Sequence, residues 1–166
     1  MNAIDSRAVL IGLVSVLFGV FCFAAGNLGF ELVTAEEYQR EKDARSLLTR
    51  VPGTQPAEPE SLRVADGPLI EVWPPDSRKV VKSPVDISVR FSPGAGATIV
   101  LDSLRIRYGL IGLDVTERIR QSATVTEQGI QAPAAALPAG SHSMSIEIAD
   151  STGRKTRQAF KSRVEA

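Results

Sequence analysis

From Ala8 to Phe30 the chain runs without a charge, "AVLIGLVSVLFGVFCFAAGNLGF". Wound as a helix, a stretch of this length covers the roughly 30 Å hydrocarbon layer of a bilayer, which predicts a transmembrane helix over 8–30 acting as a signal anchor. Arg7 and the amino terminus precede it, and the first charges after it are Glu31, Glu36 and Glu37. That asymmetry places residues 1–7 in the cytoplasm and the remainder outside. A cleaved secretory signal is the competing expectation, with "CFA" or "AAG" near residues 22–26 as the processing site. The apolar run is long for a signal, and Asp5 offsets Arg7. Lipid attachment at Cys22 is disfavoured because Phe21 stands where that processing takes a small residue. Gly12, Ser15, Gly19, Cys22, Gly26 and Gly29 recur at spacings of three and four, a stripe along which a second membrane helix could approach closely.

The residues that follow divide by pattern. "VTAEEY", Val33 to Tyr38, reads as a helix start: Thr34 caps, Glu37 reaches back to the Thr34 amide, and Val33 staples onto Tyr38. Glu36 with Arg40 and Glu41 with Arg45 are favourable pairs one turn apart. A juxtamembrane helix is therefore expected within 31–50, stopped by Pro52 and Gly53, and its scattered apolar positions suggest a solvated stalk. Residues 51–68, "VPGTQPAEPESLRVADGP", have the Pro and Gly content of a semi-extended linker. From 69 to 166 short alternating segments take over.

In "VDISVRFS", Val85, Ile87, Val89 and Phe91 fall on one face. In "LRIRYG", Leu104, Ile106 and Tyr108 oppose Arg105 and Arg107. In "HSMSIEIAD", His142, Met144, Ile146 and Ile148 alternate with small or charged residues, and "RQAFKSRV" continues the pattern after "DSTGR". Asp150 opening that turn and Gly153 taking positive φ predict a hairpin. Ile70, Val72, Val80 and Val81 supply a leading strand split by "PPDSR". The span 109–140 shows no simple alternation, so the pattern does not fix its strand limits.

"PPDSRKVVKSPVDISVRFSP" followed by "ALPAGSHSMSIEIADSTGRKTRQAFKSRV" resembles bacterial extracytoplasmic immunoglobulin-like domains. The resemblance implies an all-β fold, an immunoglobulin-like sandwich of about seven strands over 69–166, carried in the periplasm by a single-pass inner-membrane anchor. It also implies a spacer, adhesive or assembly role.

The first of those stretches is similar to copper-carrying periplasmic sandwiches too. Such proteins need several His and Met ligands, and this chain offers His142 and, beyond the initiator, Met144. The lone Cys22 excludes an intrachain disulfide and a thiolate zinc site. His142 falls on the inward parity, so Ser141 and Ser143 point to the opposite face and cannot complete a nucleophilic triad with it. Asp102, Asp114 and Glu117 read as solvated loop acids, and Trp73 as a cap on the sandwich end. No catalytic residue, cofactor or metal is expected.

Nineteen basic residues balance nineteen acidic ones, so nothing draws the whole molecule to nucleic acid. Charge is instead local. Lys155, Arg157, Lys161 and Arg163 share the outward parity of the last strand, and Arg105 and Arg107 share it two strands away, giving a cationic sheet face interrupted by Glu147. Such cations can simply deter unwanted strand pairing, or they can receive an anionic partner. The expected function is non-catalytic protein binding or envelope assembly, with a membrane-spanning or periplasmic protein as partner and an anionic surface as the other candidate. A secreted accessory ligand-binding module is the alternative.

Overall fold

The computed structural model describes residues 29–50, 60–73 and 80–165. Among these described residues nine strands and two short helices follow in the order α1 (Ala35–Thr49), β1 (Leu69–Trp73), β2 (Val80–Lys82), β3 (Val85–Ser92), β4 (Ile99–Tyr108), β5 (Leu113–Asp114), α2 (Thr116–Ser122), β6 (Thr124–Thr126), β7 (Gly129–Ala135), β8 (Gly140–Asp150) and β9 (Lys155–Glu165). The strands form two sheets, one ordered β1-β3-β7-β6 and the other β2-β9-β8-β4-β5. The chain is thus a two-sheet β-sandwich.

Alternation builds the core. Val89 and Phe91 of β3 and Ile130 and Ala132 of β7 pack with Leu104, Ile106, Met144, Ile146 and Ile148 of the other sheet, each at most 4% exposed. The β8–β9 hairpin is paired over its whole length, from Gly140 opposite Val164 to Ala149 opposite Lys155. At its turn Gly153 has φ +82°. The Asp150 carboxylate accepts from the Thr152 and Arg154 amides and from the Arg154 guanidinium. Burial alone would raise the Asp150 pKa; the Thr152 hydroxyl, donating at 2.6 Å, and then these amide and guanidinium hydrogen bonds outweigh it and hold the group below the ordinary carboxylate range.

The leading strand is split more deeply than "PPDSR" suggests. Its first half, β1, pairs antiparallel with β3 in one sheet, and its second half, β2, pairs parallel with the end of β9 in the other. The end of the Pro-rich stretch also joins β9: Leu62 and Arg157 exchange both backbone hydrogen bonds at 2.8 Å, and the Ser61 hydroxyl accepts from the Ala159 amide.

Within 109–140, where the pattern leaves the strand limits open, the chain forms β5, α2, β6 and β7, and α2 is a short helix with Ile119 buried. Thr116 fixes its start: its amide donates to Asp114 and its hydroxyl accepts from the Ile106 amide.

Among the described residues no helix is long and apolar enough to cross a membrane. Residues 8–28 of the apolar run, with Gly12, Ser15, Gly19, Cys22 and Gly26, lie outside the described residues. The last two positions of the run are corrected. The Phe30 carbonyl accepts from the Ala136 amide, and the Leu32 amide donates to the Ala136 carbonyl. A Cβ on Gly29 would stand 2.3 Å from the Ala134 oxygen, so this glycine admits the β7 backbone rather than a membrane helix.

Candidate binding face

α1 begins as its sequence requires. The Glu37 amide donates to the Thr34 hydroxyl at 3.2 Å and the Thr34 amide to the Glu37 carboxylate at 2.9 Å, closing the capping box. It does not stand free as a stalk. Leu32 and Val33, immediately before it, are completely buried, worth roughly 3–6 kcal/mol together as an upper bound. Arg118 of α2 forms two hydrogen bonds with Glu37, at 2.8 and 2.9 Å, and a third with the Leu32 carbonyl. The Arg118 guanidinium, followed by the Thr34 amide, holds the Glu37 carboxyl at a pKa of about 2.

One turn on, Glu41 is buried, accepting from the Leu110 amide at 2.7 Å and the Ile111 amide at 3.3 Å. Gly109 makes room for that carboxylate, since a Cβ there would lie 2.4 Å from its Oε2. The helix is thus seated on the β4–β5 turn by groups that its sequence presents as solvent-facing.

His142 lies under this seat. Its ring centre is 5.0 Å from that of Tyr38 and 5.8 Å from that of Tyr108. Nε2 is 2.8 Å from the Pro138 carbonyl and Nδ1 is 2.8 Å from the Tyr108 hydroxyl. A carbonyl can only accept, so Nε2 carries the proton and Nδ1 accepts from Tyr108. Burial pushes the imidazole below its ordinary pKa, against the opposing pull of the Pro138 carbonyl, and pushes the Tyr108 phenol up. With both nitrogens engaged, His142 serves as a core member in this arrangement. Met144, 2% exposed, is buried in the sandwich. No group of three or more His, Cys, Asp or Glu among the described residues could hold a metal ion.

The six basic residues expected on one sheet face are brought together there, because β8 runs between β4 and β9. Arg105, Arg107, Lys155, Lys161 and Arg163 are exposed, and Arg157 is half-buried. Opposite them, β8 contributes Ser141, Ser143, Ser145, Glu147 and Ala149. The face is less uniformly positive than its parity implies. Arg157 is bound to Glu147 through two hydrogen bonds. Asp114, paired in register with Arg107, adds a carboxylate that sequence reasoning set apart as a loop acid. Hydrogen bonds from Thr116 lower its pKa first, with Arg105 and Arg107 adding to the shift. Asp102 is exposed, and Glu117 is exposed and 3.7 Å from Arg120.

Trp73 does not cap the sandwich; it is 62% exposed. α1 also brings Lys42 and Arg45 beside Lys161 and Arg163. Sequence reasoning missed that juxtaposition, which depends on contacts about 70 residues apart.

Fold and site together define a β-sandwich with a mixed but predominantly cationic sheet face. No protein-family model matches the chain, and no curated protein does. Among solved structures it is similar to CopC from Methylosinus trichosporium OB3b, at 16% sequence identity and a TM-score of 0.40, covering 64% of this chain and 94% of that one. A likeness so distant has no bearing on function.

Proposed function

We propose that the chain is a non-catalytic, immunoglobulin-like binding module that docks an anionic protein partner on the outer face of its five-stranded sheet. The immunoglobulin-like reading is supported by the strand order, with β3, β6 and β7 in one sheet, β4, β8 and β9 in the other, and a leading strand divided between them. The binding reading is carried by one observation: five exposed basic side chains converge on a face whose central strand is made of small residues and a single, already paired glutamate. Small residues in the middle leave the flanking cations room to reach a partner's carboxylates, and a charged surface of this kind sets association rate and selectivity more than ultimate affinity.

In this reading residues 8–28, with 29 and 30 turned onto the sandwich, hold the module at the periplasmic side of an inner membrane. The secreted alternative differs by one measurement. An intact Met1 species in the membrane fraction agrees with the anchor, whereas a mature chain beginning near Ala25 replaces it with secretion.

The docking reading is tested by crosslinking in native membranes followed by mass spectrometry. A partner should be captured at low salt, lost at high salt, and lost when Arg105, Arg107 and Lys155 are changed together to Ser. A partner yield unaffected by the triple substitution and by salt would reject the cationic face as the docking site.

A further inference from the structure

The registers of the five-stranded sheet lay out its outer face in rows across the strands. Arg105, Glu147, Arg157 and Leu62 make one row, because Leu62 pairs with Arg157 along the outer edge of β9. Further along β9, Ser141, Arg163 and Val80 make another, with β2 on that same edge. Residues paired across neighbouring strands project from the same face. Leu62 and Val80 therefore stand in one line beside the outward side chains of β9, one strand spacing, roughly 5 Å, away. Both are uncovered: Leu62 is 58% exposed and Val80 44%. Val64, two positions beyond Leu62, is also exposed.

Charge runs beside this apolar line. Arg157 is bound to Glu147, but Lys155 and Arg163, on either side of it along β9, form no ion pair with a described residue. The carboxylates at the margin are Glu165, opposite Lys82 in register, and Glu60, exposed next to Ser61. Between the two rows the short side chain of Ala159 points outward, opposite Ser145, and leaves a low saddle. Backbone pairing along this edge is already taken. Leu62 exchanges both hydrogen bonds with Arg157, the Ala159 amide donates to the Ser61 hydroxyl and its carbonyl accepts from the Gln158 side chain, and β2 covers the last three residues. A partner arriving here must bring its own backbone hydrogen bonds satisfied, which a helix does.

We propose that an acidic amphipathic helix of the partner lies along the outer edge of β9, its apolar stripe on Leu62 and Val80 and the carboxylates beside that stripe meeting Lys155 and Arg163. The proposal rests on the reading of the sheet face as a receiver of an anionic protein, and adds the form of that protein and the line on which it sits. Lys155 and Arg163 are eight positions apart, which in a strand is roughly 27 Å, the length of about 18 helical residues.

The probe is a fluorescein-labelled peptide of about 18 residues, with leucines at helical spacing on one stripe and glutamates on both sides of it. Its anisotropy is followed against the full chain in nanodiscs rich in phosphatidylglycerol, whose negative charge keeps the peptide off the bilayer, with empty nanodiscs as the blank. Saturable one-to-one binding is expected at low salt, at least tenfold tighter than that of a peptide of the same composition with its leucines scattered. Leu62→Ser and Val80→Ser each forfeit about half of a side chain's burial, so each should weaken binding about fivefold and the two together about 25-fold. Leu62→Met should retain it, and because both positions are exposed the melting curves should match the parent's. Lys155→Ser with Arg163→Ser should weaken binding at low salt and flatten its salt dependence. Absence of saturable binding, equal affinity for the scattered peptide, or unchanged affinity in the Leu62→Ser, Val80→Ser chain overturns the proposal. In native membranes the two readings fail separately. A partner lost when Arg105, Arg107 and Lys155 are changed to Ser, yet retained by the Leu62→Ser, Val80→Ser chain, leaves the cationic face standing and removes the helix.

Discussion

Replacing Glu37 by Gln isolates the charge that fastens α1 to the sandwich. Gln keeps the length of the side chain and an oxygen for the Thr34 amide, but removes the ion pair with Arg118. Lowering the carboxyl from 4.5 to about 2 corresponds to about 3.4 kcal/mol at 1.36 kcal/mol per pKa unit. The Glu37 side chain is 14% exposed but that of Arg118 is 34% exposed, so solvent screening reduces the expected loss at pH 7 to about 1–2 kcal/mol. The sign of the pH dependence follows from the direction of the shift. A carboxyl that is more acidic when folded contributes fully above its unfolded pKa, and that contribution fades as pH falls from 4.5 toward 2. By pH 3.5 roughly 40% of it should be gone. Urea unfolding of both chains, followed by far-ultraviolet circular dichroism at pH 7, 5 and 3.5, measures the difference directly. A gap that is absent at pH 7, or that stays constant down to pH 3.5, would refute the account of how this helix is held.

Three other perturbations probe separate parts of the molecule. His142→Phe should cost about 1–3 kcal/mol at pH 7 by leaving the Tyr108 hydroxyl and the Pro138 carbonyl without their partner. Because the histidine is harder to protonate when folded, the parent chain should lose stability as pH falls below about 6.5; Phe should erase the His142 contribution, and identical slopes from pH 7 to 5 by chemical denaturation would contradict this. Leu32→Ala should cost about 2–5 kcal/mol, as expected for a fully buried side chain, and a change below about 0.5 kcal/mol in urea unfolding would mean that the segment before α1 contributes nothing to the core. Gly129→Ala puts a Cβ 1.9 Å from the Val89 oxygen at φ +151°, so it should break the β3–β7 ladder and lower the melting temperature by about 10 °C or more; a parent-like melting curve would show that the ladder tolerates it.

What could be read from the sequence was local. The capping box needs only Thr34 and Glu37, three positions apart, and the hairpin turn needs only Asp150 and Gly153. Period two assigned Leu104, Ile106 and Tyr108 to the inside because one residue's parity fixes that of its neighbours. The seat of α1 escaped because Glu41 looks like any solvent-facing helical glutamate until the amides of Leu110 and Ile111 arrive from a distant turn. Likewise, Asp114 acquires a place on the basic face only through its register with Arg107. α2 has seven residues, too few to establish a helical period, and Ile119 gains its meaning from the sheet below. The passage of the leading strand from one sheet to the other is set by β9, whose last residues β2 pairs with from more than 80 positions away.

The order of the strands limits how this module can join others. Its three longest ladder members, β4, β8 and β9, all have neighbours on both sides, while the outermost strands β1, β2, β5 and β6 have five, three, two and three residues. The stretches of β4 and β9 that β5 and β2 leave unpaired are interrupted instead: Thr116 accepts from the Ile106 amide and Arg120 donates to the Leu101 carbonyl, while Leu62 and Ser61 bond to Arg157 and Ala159, so a foreign strand would meet no long continuous template. In the proposed binding reading, recognition is thereby left to side chains on the broad surfaces, where single substitutions can tune one contact without inviting polymerisation.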